Sequence, residues 1–259
     1  MYIPKEIMHI IKDKSYTIDN IGMSNSSILI FNEYVLKIQP YTSESFNELI
    51  MMNWLEDKIN VPKIICYVLE NDTTYFLMSK VNGTMSCDTY YLENSNELVD
   101  LLVDGMRSLW SISIEDCPSK VCLESKLNEA KYRVDHHLVD INECDPKTFG
   151  PDGFKDPLAL YQWLMDNKPQ EELVLSHGDY CLPNIFNNNG KTTFIDIGRM
   201  GVSDKWQDIA LCYRSLRDNM NGSYGGKVYD FNPDLLFKKL GIEKDEKKLN
   251  YYLLLDELF

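Results

Sequence analysis

Long apolar runs are missing from this 259-residue sequence: none approaches the roughly 18 consecutive apolar residues of a bilayer-spanning helix. The opening stretch MYIPKEIMHIIKDK mixes charge into a periodic apolar pattern, so neither a signal peptide nor a membrane partner is expected. Cysteine patterning is missing too. The seven cysteines are odd in number, scattered and never spaced C-x-x-C, which argues against a disulfide framework or zinc knuckle and for a reducing cytoplasm. Basic residues are few beside acidic ones, 26 against 40, and the formal charge of −14 would repel a phosphate backbone. Nucleic acid is therefore disfavoured as a partner, and a cationic one is favoured. The four histidines show no metal-ligand spacing, and no repeat or low-complexity segment is present.

What is there describes a folded protein. Hydrophobic residues make up 44%, charged residues 25% and aromatics 12%, and the length suits one large domain or two lobes around a core. The first 80 residues read as short β-rich pieces with one helix. Strands are expected over 16–21, 28–31, 34–38, 63–69 and 75–79, with turns at Asn32-Glu33 and Asn71-Asp72-Thr73. Over 43–58 a Ser N-cap and the helical spacing of Phe46, Leu49, Ile50 and Trp54 predict a helix packed on that sheet. Residues 80–84 break both periodicities. Helices are then expected near 94–113, 122–140 and 157–167, a hairpin-like island over 173–197, and helices again from Asp204. This gives an α+β chain with lobes at 1–79 and 85–259 around a hinge at 80–84.

The chemistry concentrates in HGDYCLPNIF (177–186) and FIDIG (194–198). HGD alone reads equally well as a turn with an Asp helix cap. Asp179 and Asn184, however, are five apart in a loop, and Asp196 follows twelve further on at a strand end. Phosphoryl transfer needs this set: a carboxylate for the acceptor hydroxyl, and oxygen ligands that hold magnesium on nucleotide phosphates. The protein-kinase pattern H-R-D-x-x-x-x-N then D-F-G fits, with Gly178 for Arg and Asp196-Ile197-Gly198 for D-F-G. The same chemistry calls for a strand lysine on the phosphates and a helix glutamate to hold it; Lys37 in YVLKI and Glu48 on the next helix qualify.

HGDYCLPNIF, FIDIGRMGVSDKWQDIAL, the lead-in PQEELVLSHGD and the terminal YYLLLDELF together resemble the aminoglycoside 3'-O-phosphotransferases (kanamycin kinases), and the likeness spans nearly the whole chain. It implies a two-lobe eukaryotic-protein-kinase-like fold, ATP with magnesium as cofactors, and a cationic aminoglycoside such as kanamycin or neomycin as substrate, phosphorylated to confer resistance. By the family's pattern Asp179 is the catalytic carboxylate, Asn184 and Asp196 the metal ligands, and Lys37 and Glu48 the phosphate-contacting pair. Ser24 with the backbone of 23–27 matches the loop over the phosphates, and Ser79 and Val81 match the adenine-binding hinge. Some relatives carry an aromatic residue two positions before the phosphate lysine; Val35 stands there in this chain, which leaves ATP against GTP open.

The resemblance also places the drug among acids: Asp218, Asp256, Glu257 and the α-carboxylate of Phe259. Arg199 and Arg214 match positions near the substrate and the catalytic loop, where a structural ion pair is an equal reading. Glu143, Asp145 and Asp152 are unranked candidates for a further acidic loop. His177 is expected to brace the catalytic loop and Cys181 to pack locally. Two rivals stand beside this reading: a kinase-like enzyme for another hydroxyl substrate, such as a macrolide or amino alcohol, and a nucleotide-binding pseudokinase. The second would normally lack one of Lys37, Asp179, Asn184 or Asp196, and none is lacking.

Overall fold

A computed structural model describes residues 1–19 and 26–259. Its first part is α1 (Lys5–Ile11), β1 (Thr17–Asp19), β2 (Ser27–Ile30), β3 (Tyr34–Pro40), α2 (Ser43–Leu55), β4 (Ile64–Glu70) and β5 (Thr73–Ser79). The five strands form one sheet in the order β1-β2-β3-β5-β4, antiparallel throughout the pairs. The β4–β5 turn places Asn71 and Asp72 both at positive φ, the twist that suits a two-residue hairpin.

Strand alternation gives the sheet two dry faces. Leu29, Leu36, Tyr75 and Leu77 pack with Ile7 and Ile11 of α1, while Phe76 and Met78 face the large cluster shared with α2 and the rest of the chain. Lys37, in register with Phe76, lies in the middle of the central strand β3. Helix α1 takes up the periodic apolar pattern of the opening stretch and buries Ile7 and Ile11, one turn apart.

Helix α2 corrects the sequence reading twice. Its N-cap is Thr42, whose side chain accepts from the Ser45 amide while Ser45 Oγ takes the Thr42 amide, a reciprocal capping box. The buried face is Ser45, Glu48, Met51, Met52 and Leu55, and Phe46 is 46% exposed. Both faces have helical spacing; the one that carries Glu48 wins because Glu48 finds an ammonium partner on β3, which lets the carboxylate go in.

Beyond Ser79 come β6 (Thr84–Met85), α3 (Thr89–Glu93), α4 (Ser95–Trp110), α5 (Leu123–Asp135), α6 (Pro157–Asp166), β7 (Leu173–Ser176), β8 (Ile185–Asn188), β9 (Lys191–Phe194), β10 (Gly201–Asp204), α7 (Lys205–Met220), α8 (Leu235–Leu240) and α9 (Glu246–Asp256). Strands β6, β8 and β9 make one small sheet and β7 with β10 another. The island at 173–197 is thus not one hairpin: β8 and β9 pair across Asn189-Gly190, whereas β7 pairs with β10, a strand absent from the sequence reading. Helix α5 stops at Asp135, with His137 at positive φ, short of the expected 140. Asp204 closes β10, caps α7 and accepts the Tyr252 hydroxyl at 2.8 Å, so one buried carboxylate ties α9 to the start of α7. Among the described residues no helix is long and apolar enough to cross a membrane.

Candidate active site

Three charged groups meet where β3, α2 and the end of β9 converge. Lys37 Nζ lies 2.9 Å from Glu48 Oε2 and 2.7 Å from Asp196 Oδ1. Gln39, two positions along the same face of β3, donates its amide to the same Glu48 oxygen at 3.2 Å. Burial works against the Lys37 charge, yet its two carboxylates more than offset this and hold the ammonium above its ordinary pKa. Glu48 is enclosed, and desolvation raises its carboxyl above the usual range against the pull of Lys37 and Gln39. For Asp196 desolvation is again the opposing effect, and the Lys37 ammonium outweighs it, keeping the carboxyl low. Asp196 itself sits in the left-handed region, φ 56° and ψ 54°, which aims its side chain back at Lys37.

The backbone that leads into the HGD loop hangs on Asp208 of α7. This fully buried carboxylate accepts from Ser176 Oγ at 2.9 Å and from the amides of His177 and Gly178, both at 3.0 Å. Gly178 has φ +81° and passes so close to Arg199 that a Cβ would come 2.1 Å from the Arg199 carbonyl oxygen. His177 is buried and donates from Nε2 to the Ile195 carbonyl (3.1 Å), while its Nδ1 accepts the Asp179 amide (3.3 Å). Tyr180 anchors the loop below by donating to the Leu102 carbonyl at 2.7 Å.

Within this frame the Asn184 amide donates to Asp179 Oδ2 at 2.9 Å and to the Asp179 carbonyl at 3.0 Å, and the Cys181 thiol donates to Asp179 Oδ1 across 3.1 Å. Each oxygen of the expected catalytic carboxylate therefore has one donor. Burial pushes the Cys181 thiol well up, so it acts as a hydrogen-bond donor rather than a thiolate nucleophile. The Ile195 amide donates to the Asn184 carbonyl at 3.0 Å, which sets Asn184 and Asp196 side by side.

Among the described residues no group of three or more His, Cys, Asp or Glu side chains could enclose a metal by itself. Magnesium on a nucleotide does not need one: one or two protein oxygens complete a shell of phosphates and water. With the Asn184 amide nitrogen spent on Asp179, its side-chain oxygen and Asp196 are donors of the right hardness, so these residues fit the ion.

Of the expected substrate acids, Asp256 and Glu257 lie at the end of α9 and pair with Arg214, while Asp218, on α7, pairs with its neighbour Arg217. Arg214 of α7 binds Asp256 directly and lies 3.6 Å from Glu257; Arg199 lies 3.5 Å from Glu44 and 4.0 Å from Asp256. Asp218 is held by its neighbour Arg217 through two contacts of 2.7 and 3.1 Å. Burial lifts the Glu257 carboxyl above its usual range, against the Asp145 amide, which donates to it at 2.7 Å, and Arg214. Arg133 of α5 donates to the Leu258 carbonyl (2.7 Å) and to a backbone oxygen of Phe259 (2.9 Å), and so docks the segment after α9. A cavity of about 290 Å³ opens here, lined among others by Glu44, Lys126, Arg199, Asp256 and Phe259. Of the loop candidates, Asp145 approaches through its backbone, and Glu143 and Asp152 are exposed.

At the other side of the cleft the Ser79 amide donates to the Lys63 carbonyl and its hydroxyl accepts the Lys63 amide, each at 2.8 Å, with Val81 half-buried just beyond. Val35 is in register with Met78 and packs on the interlobe cluster, whereas Tyr34 faces the α1 side. Ser24 and the residues around it, 20–25, lie outside the described residues. Asp208 and Arg133 have no role in the sequence reading. The signal for Asp208 lay in QDIAL, an acid inside an apolar helical run; nothing local marks Arg133.

The sequence model of the phosphotransferase enzyme family matches residues 16–227. An aminoglycoside 3'-phosphotransferase of Enterococcus faecalis is 42% identical over 211 residues, covering 81% of this chain and 76% of its own, and one of Campylobacter jejuni is 39% identical over 210 residues, covering 81% and 79%. An aminoglycoside phosphotransferase of Streptomyces rimosus superposes with a TM-score of 0.81 at 20% identity over 97% of this chain and 95% of its own; its complex with ADP and streptomycin gives 0.77. At that identity the superposition speaks for the fold, the two-lobe kinase-like α+β arrangement.

Proposed function

This chain belongs to the phosphotransferase enzyme family, and from that membership we infer that it is an aminoglycoside 3'-phosphotransferase, moving the γ-phosphoryl group of ATP to a drug hydroxyl. The observation that carries the reading is Lys37 set between Glu48 and Asp196, with Asp179 held by Asn184 on the adjoining loop. Phosphoryl transfer has a loose transition state, so positioning and electrostatics supply most of the acceleration. That is the chemistry these residues are built for.

In this reading residues 1–79 form the nucleotide lobe, 80–84 the hinge and 85–259 the lobe that carries the catalytic loop and the drug. Lys37 meets the nucleotide phosphates, and Glu48 keeps its amine in place. The Ser79 carbonyl and Val81 amide take the adenine edge, and Ser24 belongs to the loop above the phosphates. Asp179 orients the 3'-hydroxyl and accepts its proton as the oxygen–phosphorus bond forms; Asn184 and Cys181 keep that carboxylate from turning away. Asn184 and Asp196 would hold magnesium, which when bound offsets charge on the phosphate oxygens. Asp218, Asp256, Glu257 and Phe259 take the drug's ammonium groups, with Arg199 and Arg214 setting the acids' positions. ATP as donor calls for the cytoplasm.

The deciding experiment is incubation of the purified chain with magnesium ATP and kanamycin or neomycin, following ADP release and locating the phosphate by NMR. Phosphate on the 3'-oxygen is expected. ADP release with a macrolide or simple amino alcohol, and none with either aminoglycoside, would overturn the reading in favour of another hydroxyl substrate.

A further inference from the structure

Asn47 precedes Glu48 on α2, and its side chain reaches across to the turn that follows Asp196. Its Nδ2 lies 2.8 Å from the Gly198 carbonyl oxygen and 2.8 Å from the Met200 carbonyl oxygen. Only the amide nitrogen can face two carbonyls, so chemistry fixes the orientation of the group and both of its hydrogens are used. The contact is close on the backbone side as well: a Cβ on Gly198 would fall 2.8 Å from Glu44 Cγ and 3.2 Å from the Glu44 carbonyl oxygen. Helix α2 thus rests directly on the peptide of residue 198.

We propose that Asn47 is a positioning residue that bolts α2 to the Asp196 turn and thereby keeps the Lys37–Glu48–Asp196 group assembled before nucleotide arrives. Adjacent residues on α2 grip the two sides of one junction. Glu48 reaches Lys37, which reaches Asp196, and Asn47 reaches the backbone two and four residues past Asp196. The loop so closed leaves α2 no outward swing that keeps these bonds, and it supports the left-handed conformation of Asp196 from behind. The nucleotide site then needs no activating modification or partner to draw the helix in. This rests on the phosphotransfer reading for the reaction and adds a residue whose side-chain bonds go to the backbone of the Asp196 turn.

The test compares Asn47→Leu, which keeps the volume and removes both donors, with the unaltered protein. Two hydrogen bonds of ordinary strength correspond to about a tenfold or greater weakening of magnesium-ADP binding by calorimetry and a similar rise in KM for ATP. KM for kanamycin should rise much less than KM for ATP, since both Asn47 bonds go to the turn that follows Asp196, although Asn47 also lines the cavity beside Asp256. Gly198→Ala, whose methyl would press on Glu44 and lift α2 while leaving the Asn47 amide intact, should give the same split. Nucleotide affinity unchanged in both variants overturns the proposal. So does a parallel loss of nucleotide and drug affinity with a large fall in Tm, which would make Asn47 a folding residue only. Because ADP binding is read without any acceptor, this result stands apart from whether the 3'-hydroxyl of an aminoglycoside is the true target.

Discussion

Replacing Asp179 by Asn changes charge and proton affinity with almost no change in shape, and the geometry says the loop will tolerate it. The carboxylate has one donor per oxygen: the Asn184 amide on Oδ2 and the Cys181 thiol on Oδ1. In Asp179→Asn the new amide can leave its oxygen with Asn184, the stronger donor, and turn its NH2 toward the Cys181 sulfur, a weak acceptor. Only the weak thiol bond is lost, so the fold and the nucleotide half should be left whole. What disappears is the group that orients the hydroxyl and takes its proton, a contribution of about 10² to 10⁴ in rate. We therefore expect kcat with kanamycin to fall by that factor, while magnesium-ADP affinity and Tm stay close to those of the unaltered chain. Steady-state kinetics coupled to ADP release, calorimetry and a thermal melt cover the three readouts. Turnover within about threefold of normal would remove Asp179 from the mechanism. A fall in kcat matched by lost ADP binding would mean that the loop had collapsed.

Three further substitutions probe other parts of the site. Lys37→Met leaves Glu48 and Asp196 facing each other without their shared ammonium; kcat should fall by about 10² or more with a raised KM for ATP, and near-normal kinetics would refute the phosphate role. Asp208→Asn turns a buried acceptor of three hydrogen bonds into a group with a donor aimed at a donor; at about 1.5 to 3 kcal/mol per bond to a charged group and 2 to 4 °C per kcal/mol, Tm should drop by at least about 3 °C, and an unshifted melt would contradict its anchoring role. Val35 lies on the cleft side of β3; Val35→Tyr should tighten ATP by the 0.5 to 1.5 kcal/mol or so of an aromatic contact, and equal weakening of ATP and GTP would show that the pocket cannot hold a ring there.

The site was legible where chemistry is local. HGDYCLPNIF carries its carboxylate, its amide and its tight glycine within eight residues, and FIDIG supplies its acid from the strand that pairs with the loop's exit. The Lys37–Glu48 pair was legible by order along the chain. What stayed hidden depends on long-range geometry. Strand β10 is four residues, GVSD, with no alternation to announce it, and exists because β7 is there to pair with it. The buried face of α2 could not be chosen from spacing, since two faces satisfy the period and only the partner of Glu48 decides between them. Asp208 and Asn47 bond to backbone atoms far away in sequence, and a backbone carbonyl leaves no trace in composition.

The arginine pairing of the substrate acids bears on how a polycation could be held. Glu44, Asp256 and Glu257 are linked through Arg199 and Arg214, and Asp218 is paired separately with Arg217. Left bare, neighbouring acids would repel one another. Burial pushes the Glu257 carboxyl upward, against the Asp145 amide and Arg214. The guanidinium forks hold the acids' oxygens at set positions, because each fork is planar and directional. On the proposed reading, an ammonium group entering here would meet carboxylates that are already partnered. Binding would then be an exchange of cations at fixed positions, which rewards the spacing of the ammonium groups on the drug more than their number. The −14 excess over the whole chain acts at longer range, by raising the local concentration of any polycation; on the proposed reading, selection among polycations would fall to the arginine-held acids beside α9.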